Sequence, residues 1–284
     1  MGHQSIRPDH IRDFLKTQDV RTLLTFTNPK VLKNDQVSSI PTAVMHLLPN
    51  YRGTCPFAGT CAEICLHRAG NPAYMRGKQA ARKRRTDAFM NDRARFMEYL
   101  LIELLAFASK HPQSDVLGVR LNGTSDIRWE RESIEVHPET SDYIHQRFNL
   151  HIAPGRYRNI MYCLSTTNNT EQTFQFYDYT KRTDRLWDVC RHDNYHLTLS
   201  VGSSGDTFRQ ALDESLNLAA AFNIKKSEPF PATVTHNGME LPVVDGDVTD
   251  YRPHDPSKRT HIVGLRMKRV PGMTPEQVKA FCIQ

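Results

Sequence analysis

Short, nearly continuous apolar runs separated by turn residues mark the chain from residue 116 onward: Val116 to Leu121, Phe174 to Tyr177, His196 to Val201, Leu218 to Phe222 and Ile262 to Leu265. Runs of this length predict strands. Their continuity, in place of a polar and apolar alternation, suits strands buried on both faces of a parallel sheet. Leu23 to Thr27 and Ala43 to Leu48 read the same way. Helical patterns lie at 138–148 and 206–215, and a longer helix is expected across 78–110. There Phe89, Phe96, Met97, Leu100, Leu101, Leu104 and Leu105 form an apolar stripe that His111-Pro112 closes. Strands alternating with helices give the α/β class. The expectation is a mainly parallel, barrel-like sheet of partial TIM type, with a cysteine loop near the N-terminal strands. With no internal repeat or low-complexity tract, residues 1–284 read as a single α/β domain.

Composition changes this picture little. Hydrophobic residues make up 39% and charged residues 24%, outside the range in which chains stay disordered. A formal net charge of +6 is compatible with a polyanionic partner without demanding one. The longest nearly apolar run, Tyr99 to Ala108, is broken by Glu103 and reaches about half of the roughly 20 residues that cross a bilayer, so no membrane association is expected. Met1 to Asp9 has no apolar core of the signal-peptide kind. A cytoplasmic location follows as an expectation, and in a reducing compartment the thiols are not expected to form disulfides.

Three of the six cysteines lie within one short loop, Cys55-Pro56-Phe57-Ala58-Gly59-Thr60-Cys61-Ala62-Glu63-Ile64-Cys65. A C-x5-C-x3-C array in a loop containing Pro and Gly can aim three sulfurs at one point, and a soft metal centre is the natural occupant. One reading is an iron–sulfur cluster, four-iron in type, with one iron left open because such clusters normally take four cysteines. The other is zinc, with His67 or a distant cysteine, Cys163 or Cys190, completing a tetrahedron.

Several segments together resemble the phage gene product 88 family. They begin with the cysteine loop, Leu66, the Ala69-Gly70 pair and Arg85-Thr86. They continue with Val119 to Ile127, Trp129-Glu130, Phe176 to Lys181, Asn194 to Ser200, Val243 to Asp247 with Asp250 and Arg252, and Val263-Gly264-Leu265. The resemblance spans about residues 23–266 and leaves 267–284 as a C-terminal tail. It implies a phage-encoded protein of the host cytoplasm and an architecture more than a reaction. The loop is also similar in placement to the cluster-binding loop of radical S-adenosylmethionine enzymes. That likeness implies S-adenosylmethionine as a further cofactor, but the spacing departs from C-x3-C-x2-C and no Gly-Gly-Glu segment is present.

In a parallel α/β architecture ligands gather at the carboxyl ends of the strands. The polar residues that follow the predicted strands are Asn122, Ser125 and Asp126, then Asp178 and Lys181, then Ser200, and finally Asp245 and Asp247. One rim beside the cysteine loop is expected to collect them. Ser200 and Arg85 would face a cofactor and the others would carry the chemistry, with Cys55, Cys61 and Cys65 as metal ligands.

The segment 76–95 is rich in Arg and Lys and could meet nucleic acid. The alternatives are therefore a zinc-stabilised nucleic-acid-binding protein, or a divalent-metal nuclease using Asp126, Asp178, Asp245 and Asp247. Neither a G-x-S-x-G elbow nor a phosphate-cradling G-x-x-x-x-G-K-[ST] is present.

Overall fold

A 10-stranded sheet forms the centre of the computed structural model, with strand order β1-β2-β3-β6-β7-β8-β11-β10-β9 and β12 paired to β8. The structure describes residues 6–26, 36–63, 65, 76–167, 172–185, 192–201, 218–236, 238–256, 261–268, 270 and 272–283. The strands are β1 (Leu24–Thr25), β2 (Thr42–Met45), β3 (Val116–Arg120), β6 (Thr173–Thr180), β7 (Tyr195–Ser200), β8 (Leu218–Phe222), β9 (Thr233–His236), β10 (Met239–Asp245), β11 (Ile262–Arg266) and β12 (Cys282–Ile283). β4 (Ile134–Val136) and β5 (Gly155–Tyr157) form a separate antiparallel pair. All pairings from β2 through β10 are parallel, as the continuous apolar runs predict.

The mainly parallel α/β sheet is as expected, and no closed barrel forms among the described residues. β1 and β9 pair antiparallel at the two ends of the sheet and have no second neighbour in the sheet order. A closed barrel needs every strand paired on both sides. The segment after β10 crosses back over the sheet: Asp250 pairs with Arg120 at the end of β3. Tyr251 then packs over Gly118 of β3 and against the Tyr177 ring, 5.3 Å between centroids.

The helices are α1 (Asp9–Thr17), α2 (Arg76–Asn91), α3 (Arg93–Ala108), α4 (Pro138–Phe148), α5 (Ile160–Ser165) and α6 (Pro275–Phe281). The single helix expected over 78–110 is two, because the Asp92 carboxylate accepts the Arg95 N–H at 3.2 Å and caps a new helix. After its exposed first turn α3 is apolar almost all round and buried from Phe96 to Leu105, the signature of a central helix. Its Glu103 explains the one charge in the longest apolar run: the carboxylate accepts the backbone N–H groups of Leu23 and Leu24 at 2.8 and 2.9 Å and the Tyr99 hydroxyl at 2.9 Å. These are edge-strand donors that burial would otherwise leave without partners. A large core packs α1, α3 and α4 against β1 to β7, and a second, smaller one lies between β8 and its neighbours β9 to β11.

The expected helix at 206–215 lies outside the described residues. The C-terminal segment, read above as a tail, returns to the sheet through β12, which pairs beside β8 at Ala221 and Phe222.

Candidate functional site

The cysteine loop leaves β2 and returns across the carboxyl ends of β3 and β6. Side chains and backbone tie down its N-terminal end. Thr54 donates its hydroxyl to the Leu48 carbonyl at 2.8 Å, and the Asp126 N–H donates to the Thr54 carbonyl at 2.8 Å. Thr124 donates to the Leu47 carbonyl at 2.6 Å. Within the loop, Cys61 N–H bonds the Ala58 carbonyl at 2.8 Å, and Gly59 takes a left-handed φ of 48° where a side chain would be strained. Gly123 is required for a different reason: a Cβ there would lie 2.5 Å from the Met45 carbonyl oxygen, so only glycine lets the β3 loop pass this close to β2.

The result is a cavity of about 140 Å³ whose wall includes Cys55, Cys61 and Cys65 together with Arg120, Asp126, Tyr179, Lys181 and Ser200. At about 30 Å³ per water this is room for a handful of waters or a small inorganic group. A hydrogen bond from Cys65 holds the Cys61 thiol down at about 6, with help from Lys181 and against burial and Asp126. Burial pushes the Cys55 thiol up, and burial also lowers Lys181. Lys181 Nζ donates to the Ser200 carbonyl at 3.1 Å and to its hydroxyl at 3.3 Å, so Ser200 aims the ammonium.

The three sulfurs do not all lie within 4.8 Å of one another. A closed tetrahedral zinc site, with Zn–S of about 2.3 Å, would bring them to about 3.8 Å. Cys61 and Cys65 nonetheless stand within hydrogen-bonding reach of each other. His67 and Cys190, the partners considered for zinc, lie outside the described residues. Cys163 is buried on α5, where burial pushes its thiol up to about 12.

Of the residues expected on the rim, Asn122, Ser125, Asp126, Lys181 and Ser200 border this cavity. Several of them are committed to holding it in shape. Asn122 Oδ1 accepts from the Ser125 hydroxyl (2.9 Å), the Ile127 N–H (2.9 Å) and Trp129 Nε1 (3.0 Å). Asp178, 1% exposed, accepts the Asn122 N–H at 2.7 Å and the Tyr195 hydroxyl at 2.8 Å. Burial pushes it up to about 7, opposed by Arg185 and these donors. Asp126 accepts from Thr180 Oγ1 (2.8 Å), the Lys181 N–H (3.0 Å) and Arg185 (2.8 Å). Asn122, Ser125 and Asp126 thus border the cavity with polar atoms held in this network, while Asp178 is not part of its wall.

Asp245 and Asp247 lie elsewhere. They follow β10, three strands beyond β7, and line a separate polar depression with Arg266, which reaches them at 3.4 and 3.1 Å. They do not converge with Asp126 and Asp178 as the nuclease alternative requires.

Arg85 does not face the cysteine cavity either. Its Nε donates to the Thr22 carbonyl at 2.7 Å in another depression. The rest of the basic segment is largely neutralised: Lys83 pairs with Asp87 (2.7 Å), Arg84 with Asp19 (3.3 Å), Arg93 with Glu132 (3.2 Å) and Arg95 with Asp92 (2.7 Å).

Two groups escaped the sequence reading. Arg120 closes a buried strand with a charge, an anomaly that signals a function or a partner. Arg185 is wholly buried and joins Glu130, Asp126 and Tyr195, as discussed below.

Histidines on the sheet predict acid lability. Burial, with Arg82 and Arg120, pushes His46 down to about 3, and burial brings His196 to about 4. With the folded values depressed, the unfolded chain takes up protons first. Stability is complete above about pH 6.5 and falls as the pH drops toward 4, by up to about 1.4 kcal/mol per pH unit for each histidine. Melting curves between pH 7 and 4 should show this slope, and it should flatten in His46→Gln and His196→Gln. An unchanged slope in both variants would contradict the assignment.

No helix among the described residues is long and apolar enough to cross a membrane. No curated protein and no solved structure matches the chain. The sequence profile of one family does, over residues 22–284, reaching past the segments that carried the resemblance and taking in the returning C-terminal strand. The chain belongs to the gene product 88 family.

Proposed function

We propose that the chain binds an iron–sulfur cluster, four-iron in type, through Cys55, Cys61 and Cys65, and acts as a metalloprotein with a polar pocket at the strand ends. The observation that carries this reading is that all three thiols wall the same cavity as Lys181, Ser200 and Asp126. A cluster held by three thiolates supplies one-electron redox capacity and one iron open to a further ligand. The residues of the chain prepare for it. The lowered Cys61 thiol favours the thiolate that a soft metal needs, and Lys181 balances negative charge at the loop.

The class of molecule expected beside the cluster follows from two polar atoms. Arg120 Nε and the Tyr179 hydroxyl are buried without a hydrogen-bond partner, and both side chains border the cavity. Donors left in this state favour a ligand with acceptor oxygens, a carboxylate or a phosphate. At about 140 Å³ the cavity has no room for S-adenosylmethionine beside a cluster, so a redox role of the cluster is the reading this pocket supports.

Anaerobic reconstitution with iron and sulfide should load the wild-type chain. It should fail in Cys55→Ser, Cys61→Ser and Cys65→Ser while the far-UV circular dichroism stays native. Equal iron in wild type and all three variants would place the ligands elsewhere.

A further inference from the structure

We infer that the chain carries a second metal site, free of sulfur, in which His10, Glu98 and His137 hold a divalent ion of the zinc class. The three residues come from α1, the middle of α3 and the position before α4, and their ligand atoms all lie within 4.8 Å of one another. Glu98 Oε2 is the hub: His10 Nε2 stands 2.9 Å from it and His137 Nδ1 3.0 Å. The other carboxylate oxygen, Oε1, accepts the His137 backbone N–H at 2.8 Å and is thereby fixed.

Charge is the second argument. The Glu98 side chain is 0% exposed, and its ion-pair partners among the described residues are these two imidazoles, with no Lys or Arg. A carboxylate taken out of water needs a compensating cation. A ring nitrogen that ligates a dication gives up the hydrogen it otherwise shares with Glu98, so ion and proton compete for the same carboxylate.

Spacing is the third. Ligands about 2.0 to 2.1 Å from a tetrahedral ion stand about 3.3 Å from one another. The two Glu98–His distances need open by only a few tenths of an ångström to reach it, and the two ring nitrogens lie within 4.8 Å of each other. The His10 and His137 side chains are 22% and 45% exposed, so an ion has a path inward and water can complete its shell. Two imidazoles and a carboxylate suit zinc, and with open positions also iron(II). An ion here would tie α1 to α3 and to the start of α4.

Cobalt(II) separates this site from the cysteine loop, because sulfur ligation adds intense charge-transfer absorption that nitrogen and oxygen ligands lack. Titrating cobalt(II) into the full-length protein should give visible ligand-field bands from one equivalent without sulfur character. The His10→Ala/His137→Ala double variant should lose that equivalent and keep any sulfur-linked absorption. Zinc should raise the melting temperature of the wild type, with thiols blocked, and leave that of the double variant unmoved. Both histidines are partly exposed, and circular dichroism checks that the variant folds. The inference is overturned if the wild type shows no sulfur-free cobalt bands, or if the bands persist in the double variant.

Discussion

Replacing Arg185 with Met should destabilise the protein by about 3–5 kcal/mol, the cost of leaving buried charges without their partner. Arg185 forks onto Glu130 through Nε (3.0 Å) and Nη2 (2.9 Å), donates Nη1 to Asp126 at 2.8 Å, and shares Nη2 with the Tyr195 hydroxyl at 2.8 Å. The Tyr195 hydroxyl in turn donates to Asp178 Oδ2 at 2.8 Å. One guanidinium thus anchors two acidic side chains directly and, through Tyr195, a third, and it fixes the 121–127 loop against the end of β6. Urea unfolding should show a lowered midpoint at an unchanged slope. Arg185→Lys should not rescue it, because an ammonium cannot reproduce a planar fork on several acceptors. A midpoint within experimental error of wild type would show that the network contributes nothing to stability.

The second large effect belongs to Asn122. Asn122→Ala strands the Ser125 hydroxyl, the Ile127 N–H and the Trp129 indole N–H, each a buried donor worth about 1–3 kcal/mol when left unpaired. A loss of several kcal/mol is expected. Asn122→Asp tests the same point more sharply. The amide nitrogen donates to Asp178 Oδ2 at 3.3 Å, and a carboxylate there would set two acidic oxygens against each other. The aspartate variant should therefore be no better than alanine by thermal melt. It should also lose cluster loading, since Asp126 and the cavity wall hang on the same loop. Wild-type stability in Asn122→Asp would contradict this role.

Much of the sheet is legible in the sequence because its strands are buried on both faces, so continuous apolar runs such as Leu218 to Phe222 announce them. β9 and β10 carry a weaker signal, since Pro242, Glu240 and the exposed positions of an edge hairpin dilute the apolar pattern. Whether such a sheet closes depends on how its two end strands pair and not on any run within them. The strand-end rule correctly gathers Asn122, Asp126, Lys181 and Ser200 with the cysteines. It does not place Asp245 and Asp247, which line a different depression with Arg266, because strand order is not encoded locally in the sequence. Nor can spacing tell a reactive polar side chain from one already saturated: Asn122 and Asp178 differ from free groups only in partners that come from distant segments. His10, Glu98 and His137, separated by 88 and 39 residues, illustrate the same limit.

The central claim is that three thiols in one loop hold inorganic iron beside a polar pocket. Anaerobic purification of the wild-type chain, with iron and acid-labile sulfide quantified and the visible absorption recorded, tests it most directly. The expected result is a brown protein containing iron and sulfide in near-equal amounts, bleached by reductant. A colourless protein carrying stoichiometric zinc on the same cysteines would contradict it.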